Sequence, residues 1–103
     1  MKTNKEYMLR EIAGETVLVP TGSASQKLNG MIRLTESAAF IWKQVDTAVD
    51  LEEIVARVQD EYEVDEDTAR RDIYGFLREL YVRGIVQDIP ELELEMSGEQ
   101  QEN

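Results

Sequence analysis

The sequence has no cysteine and no histidine. The first absence excludes disulfides, thiolate metal ligands and cysteine nucleophiles together. The second removes the usual general base and the commonest zinc ligand. Long apolar runs are also missing: no segment approaches the roughly 18 residues that span a bilayer. MKTNKEY opens without the apolar stretch of a signal peptide, so the expectation is no membrane and a cytoplasmic setting. Basic charge is scarce, with 11 Lys and Arg against 22 Asp and Glu and a net charge of −11. The imbalance is uneven. Residues 1–34 hold five bases against three acids, whereas the last twenty residues hold six acids and no base. An acidic surface of this kind repels phosphate backbones at long range, which counts against nucleic acid.

What remains suits one small domain: 103 residues, 42% hydrophobic, enough for a core of modest stability. YMLREIAGETVLVP, residues 7–20, reads as two β-rich runs around Gly14, a hairpin signal that Pro20 should end. TGSASQKLNG, residues 21–30, is a small polar loop. MIRL, residues 31–34, is a third strand with Ile32 and Leu34 on one face and Met31 and Arg33 on the other. Three helices follow. The first is capped by Thr35 and carries Ala38, Ile41, Trp42 and Val45 at helical spacing. The second opens on Asp50 and Glu53 in capping-box positions and runs Leu51, Ile54, Val55, Val58 and Tyr62 along one face. The third has Asp65 as N-cap, a core stripe of Ala69, Ile73, Phe76, Leu77 and Leu80, and Gly84 to terminate it.

The expected fold is therefore α+β, a three-stranded antiparallel sheet followed by three helices. The second and third helices with their tight turn also match a helix-turn-helix, and residues 85–89 can supply a wing. The sequence thus predicts a small winged helix-turn-helix domain over residues 1–90 and an acidic, disordered tail over 91–103. Alternation of Leu92, Leu94 and Met96 in that tail leaves a weak strand signal.

The chemistry-bearing patterns resolve to structure. The paired carboxylates sit in caps and first turns, where dipole effects account for them. DEYEVDED lacks the order and the final Glu of a calcium loop. GSASQKLNG lacks the spacing of a phosphate-binding loop. No catalytic residue, metal or cofactor is expected. The third helix offers more. Arg70, Tyr74, Leu77 and Tyr81 lie to one side of its core stripe, and they either widen the core or wall a groove. The other flank, Asp72, Gly75, Glu79 and Arg83, is polar. With four arginines against five acids over residues 65–83, this helix is a poor DNA reader.

GMIRLTESAAFIWKQVD, then LEEIVARVQDEYEVDEDTARRDIYGFLRELYVRGIV, resembles the PqqD family, the RiPP recognition elements, over residues 30–86. The features carrying it are the strand running into T-E-S-A-A-F-I-W, the E-E-I helix, the Y-x-V-D-x-x-x-A turn and F-L-x-x-L-x-x-x-G-I. The resemblance implies a non-enzymatic peptide chaperone. Such a protein binds the leader segment of a ribosomally made precursor peptide and presents it to a modifying enzyme, often a radical SAM protein. It also implies that the leader adds antiparallel to the third strand and lies against the third helix. Met31, Ile32, Arg33 and Leu34 then form the pairing edge, and Arg70, Tyr74, Leu77, Arg78 and Tyr81 the helix wall. A monomer or weak homodimer is expected. The competing reading is a winged-helix DNA-binding transcription regulator, against which the charge argues.

Overall fold

The structure, a computed structural model, describes residues 1–22 and 30–101, with side chains as far as Glu95. Residues 23–29 of the expected loop, and the side chain of Met96, lie outside the described residues. The elements are β1 (Lys2–Thr3), β2 (Tyr7–Ile12), β3 (Glu15–Pro20), β4 (Ile32–Leu34), α1 (Glu36–Gln44), α2 (Leu51–Glu61), α3 (Glu66–Val82), β5 (Val86–Gln87) and α4 (Pro90–Gln101). This is the expected α+β architecture, an antiparallel sheet in the order β2-β3-β4 followed by helices.

The hairpin forms where the β-rich runs meet. Its register pairs Tyr7 with Pro20 and Ile12 with Glu15, which leaves Ala13 and Gly14 as a two-residue loop. Both have positive φ, 53° and 82°, as a type I′ turn requires. The helix caps are also those of the sequence. The Thr35 hydroxyl accepts from the Ala38 amide, Asp50 from Glu53 and Asp65 from Thr68. Glu53 reaches back one residue further than a standard capping box, accepting from the Val49 amide at 2.6 Å. α3 stops at Gly84, φ 75°, with the Gly84 amide bonding to Tyr81 and the Ile85 amide to Leu80. Those two bonds are a Schellman ending.

The core lies between the sheet's inner face and the helices. Leu18 and Leu34 from the sheet pack with Ile41, Trp42 and Val45 of α1, Ile54 and Val58 of α2, and Ile73, Leu77 and Leu80 of α3.

Two parts differ from the sequence expectation. Residues 85–89 supply a short strand, β5, as the sequence allows, but its partner is β1, a strand the sequence does not indicate, and the two form a separate two-stranded sheet. A two-residue strand is too short to leave a periodic signal, and β1 is fixed from a distance. The Thr3 amide and hydroxyl both donate to Asp46 at 2.8 Å, as does Lys5. The second difference is the tail. Residues 91–103 were expected to be solvated, yet Pro90–Gln101 is helix α4. Pro90 enters the first helical turn, where its missing N–H is no loss, and Glu91 and Glu93 sit at the positive end of the helix dipole. Leu92 is fully buried, Glu91 accepts from the Leu51 amide at the start of α2 at 3.0 Å, and Glu95 pairs with Arg78 of α3. Net charge made the segment look disordered, but these tertiary contacts outweigh it.

Candidate functional site

β4 pairs with β3 through Thr16–Leu34, Val17–Arg33 and Leu18–Ile32, and no described strand pairs with its other side. It is therefore an edge strand whose outward N–H and C=O groups are available to an added strand. β4 is carried directly into α1 through the Thr35 cap, so the edge has a fixed relation to both α1 and the core.

Beside this edge lies a groove of about 470 Å³. Ile32 and Leu34 form its strand side, Ala38 and Ile41 of α1 its floor, and α3 its far wall. α3 contributes Asp72, Phe76, Glu79 and Arg83, at i, i+4, i+7 and i+11, with Leu80 beside them. That spacing makes one stripe along the helix. Ile32, Ala38 and Phe76 are only half-buried, so the apolar lining is incompletely covered. The polar rim is mixed. Arg83 approaches Glu79 at 4.0 Å, and Arg33 approaches Glu15 at 3.4 Å.

A larger cleft of about 880 Å³ opens under the hairpin. Leu9, Thr16 and Leu34 of the sheet's inner face form one side, and Phe40 of α1 and Tyr62 form the other. The Phe40 and Tyr62 rings meet edge to face at 5.7 Å. Volume favours this cleft, but its lining is heavily charged, with Glu11, Glu36, Lys43 and Glu61 among it. The smaller groove combines an open strand edge with a facing helix, which is the arrangement that receives an extended chain.

The structure divides the expected site residues into two places. Ile32 and Leu34 turn toward the groove, while Met31 and Arg33 are exposed on the outer face. The helix residues lie elsewhere. Arg70 donates to Glu52 of α2 at 3.1 and 2.6 Å and to Glu66 at 2.7 Å. These bonds raise the Arg70 pKa further and hold the Glu52 carboxyl below its ordinary range. The Tyr74 hydroxyl donates to Glu52 at 3.3 Å, and burial, with the Glu52 charge behind it, pushes the phenol up. Leu77 is in the core. Arg78 makes a two-bond pair with Glu95 of α4 at 2.7 and 3.1 Å, and Tyr81 packs half-buried against the core. Arg70, Tyr74 and Arg78 thus serve the packing of α3 on α2 and α4, and the face of α3 turned to β4 is the opposite one. The sequence reading took Phe76 for core and Asp72, Glu79 and Arg83 for a solvated flank. The signal it lacked was α4: once residues 90–101 are helical, the Arg78 flank is occupied.

Among the described residues, no group of three metal-ligating side chains converges, and no helix is long and apolar enough to cross a membrane.

Comparison with known proteins bears on this geometry. A profile of the family described as Coenzyme PQQ synthesis protein D (PqqD) matches residues 15–86. Among solved structures, one described as "TbiB1 in Complex with the TbiA(beta) Leader Peptide" is similar, with 28% sequence identity and a TM-score of 0.66. The match covers 84% of this chain and 95% of that one. Comparison with curated proteins finds no match.

Proposed function

We infer, from the premise that this chain belongs to the PqqD family, that it binds the leader segment of a ribosomally synthesised precursor peptide and presents it to a modifying enzyme. The carrying observation is the open edge of β4 facing Phe76 and Leu80 across a half-covered apolar groove. The likeness to a leader-bound structure supports the same reading. The leader adds antiparallel to Met31–Leu34, taking main-chain bonds from the edge. It inserts alternate side chains against Ile32, Ala38, Ile41, Phe76 and Leu80. Asp72, Glu79 and Arg83 form the polar rim.

The role is one of binding, not chemistry. With neither cysteine nor histidine in the chain, the common nucleophile–base pairs cannot be assembled. A radical SAM protein as the modifying enzyme, a cytoplasmic setting and a monomer or weak homodimer complete the reading. The DNA-binding alternative has no support: the flank of α3 facing the groove carries two acids and one arginine, where a recognition helix needs net positive charge.

Calorimetry with the leader of the precursor encoded beside the gene tests this. In an antiparallel pair, successive residues direct their hydrogen-bonding groups to opposite sides. One of Ile32→Pro and Arg33→Pro should therefore stay folded and lose the leader, while the other is destabilised. Phe76→Ala should weaken binding by about 1–2 kcal/mol without unfolding the protein. Leader binding unchanged in all three variants would place the site elsewhere. Salt-sensitive micromolar binding to random duplex DNA at about 50 mM salt would revive the alternative.

A further inference from the structure

The sheet face turned away from the helices has an unusual make-up for a solvated surface. Strand alternation and register set Arg10, Val17 and Arg33 in one row across β2, β3 and β4. The next row holds the Met8–Val19 pair, with Met31 one step beyond the Leu18–Ile32 pair. Met8, Ile12 and Met31 are exposed, Met31 at 61%. Val17 is buried but stands outside the core cluster packed under the helices. Arg10 lies along its own strand, its guanidinium 3.4 Å from the Met8 sulfur, with no carboxylate partner among the described residues.

We propose that this outer face is the docking surface for the peptide-modifying enzyme, whose matching surface is acidic and apolar. The inference rests on the leader-binding reading above. Charge is the first argument. The face carries two arginines against one acid, Glu15, which pairs with Arg33, so it is net positive in a chain of −11, and a partner attracted here is acidic. A second copy meeting this face through its own would bring a surface of the same net sign against it, with Arg10 on both sides lacking a carboxylate partner among the described residues. Composition agrees, since methionine and arginine are enriched in interfaces and methionine adapts to the surface it meets.

Continuity with the leader site is the second argument. A strand added to β4 extends the same sheet. Half of its side chains turn to the groove with Ile32 and Leu34, and the other half stand on the outer face beside Met31 and Arg33. Running antiparallel, the leader passes Leu34 first and Ile32 last. The segment to be modified follows the leader, so it leaves past Met31, at the row of exposed methionines. An enzyme reaching that segment rests against this row and meets a face that the bound leader has completed.

The test uses the full chain, the precursor peptide and the modifying enzyme encoded beside the gene. Met8→Asp and Arg10→Glu lie on β2, three strand spacings or about 14 Å from the added leader. Both variants should retain the wild-type circular dichroism and bind the leader within about twofold of wild type. Both should weaken enzyme binding to the leader-loaded protein by about tenfold or more. Wild-type protein should bind the enzyme more tightly with leader than without, and less tightly as salt rises. Should Met8→Asp unfold, the milder Met8→Gln joins the exposed Arg10→Glu. Unchanged enzyme binding in these variants, with leader binding intact, overturns the docking surface alone. A wild-type dimer in sedimentation that Arg10→Glu dissolves would also overturn it, by assigning the face to a second copy. Failure of the wild type to bind the leader overturns the underlying reading instead.

Discussion

Leu92→Ala and Leu94→Ala, made separately, measure whether the C-terminal helix belongs to the domain. Leu92 is 0% exposed and Leu94 is 76% exposed, two residues apart in α4. The same substitution in the same helix changes propensity equally, so burial is the variable that differs. At Leu92 the loss is the transfer free energy of the side chain plus a term for the cavity left behind, about 2–5 kcal/mol. At Leu94 most of the side chain is already in water, and the effect should stay within about 0.5 kcal/mol. For a domain of this size 1 kcal/mol is about 4–8 °C of melting temperature, so even the low end predicts a drop of about 8–16 °C for Leu92→Ala. Leu94→Ala should move by about 4 °C at most. The Glu91–Leu51 and Glu95–Arg78 contacts remain in both variants, so the difference reports the leucine. Melts followed by circular dichroism, with urea unfolding to check that the m-value is unchanged, give the two numbers. Two small and equal shifts would refute the docking of α4 and return residues 91–101 to the behaviour of a solvated tail.

Trp42→Ala should destabilise by about 3–5 kcal/mol, because the side chain is buried in the α1 face of the core; a melt close to wild type would contradict that placement. Ala13→Asn should stabilise by about 0.5–1 kcal/mol in urea titration, since Ala13 holds φ 53° in the hairpin loop and asparagine tolerates the left-handed region better. Asp46→Asn tests the anchoring of β1. Burial by itself would raise the Asp46 pKa, but the bonds from Lys5 and Thr3 bring it below the ordinary 3.8. A depressed folded value means that the carboxylate's contribution is complete above 3.8 and disappears as pH falls through the lower folded value. The stability gap between wild type and Asp46→Asn should therefore hold at neutral pH and close in acid, and a gap that widens in acid would reverse the assignment.

Much of the fold was legible because its signals are local. Thr35, Asp50 and Asp65 each bond the amide three residues on, so their type and spacing alone mark the helix starts. Gly84 and the Ala13–Gly14 loop are equally local, set by φ. The elements that escaped depend on distant partners. β1 is two residues held to Asp46 and β5, forty and more positions away. Among the described side chains, α4 buries little more than Leu92, and its acids read as solvation until Arg78 and the Leu51 amide are seen opposite them. The site inherited that gap. Periodicity locates the centre of the α3 stripe at Ile73 and Leu80, but it does not say which flank the neighbouring helices take. Phe76 lies about 50° to one side of that centre, at the stripe's margin, whereas Arg78 lies far round the other flank. Packing against α2 and α4 leaves Phe76 to the groove.

The length of β4 decides where binding energy has to come from. Three residues of edge offer an added strand about two to four main-chain bonds, each with a net worth of about 0.5–1.5 kcal/mol. The total, on the order of 3 kcal/mol, is far from the roughly 8 kcal/mol of a micromolar complex, before any loss of translational and rotational freedom is offset. Apolar burial can close that gap: at about 25 cal/mol per Å², some 400 Å² removed from water contributes about 10 kcal/mol. The half-covered lining of Ile32, Ala38 and Phe76, with Ile41 and Leu80 behind, is where that burial is available. The edge then sets the direction and register of the peptide, and the groove supplies most of the affinity. A short edge has a second consequence, since three residues give a stray strand too few bonds to hold without matching side chains. A peptide with the wrong residues at alternate positions would find the edge open and still not stay.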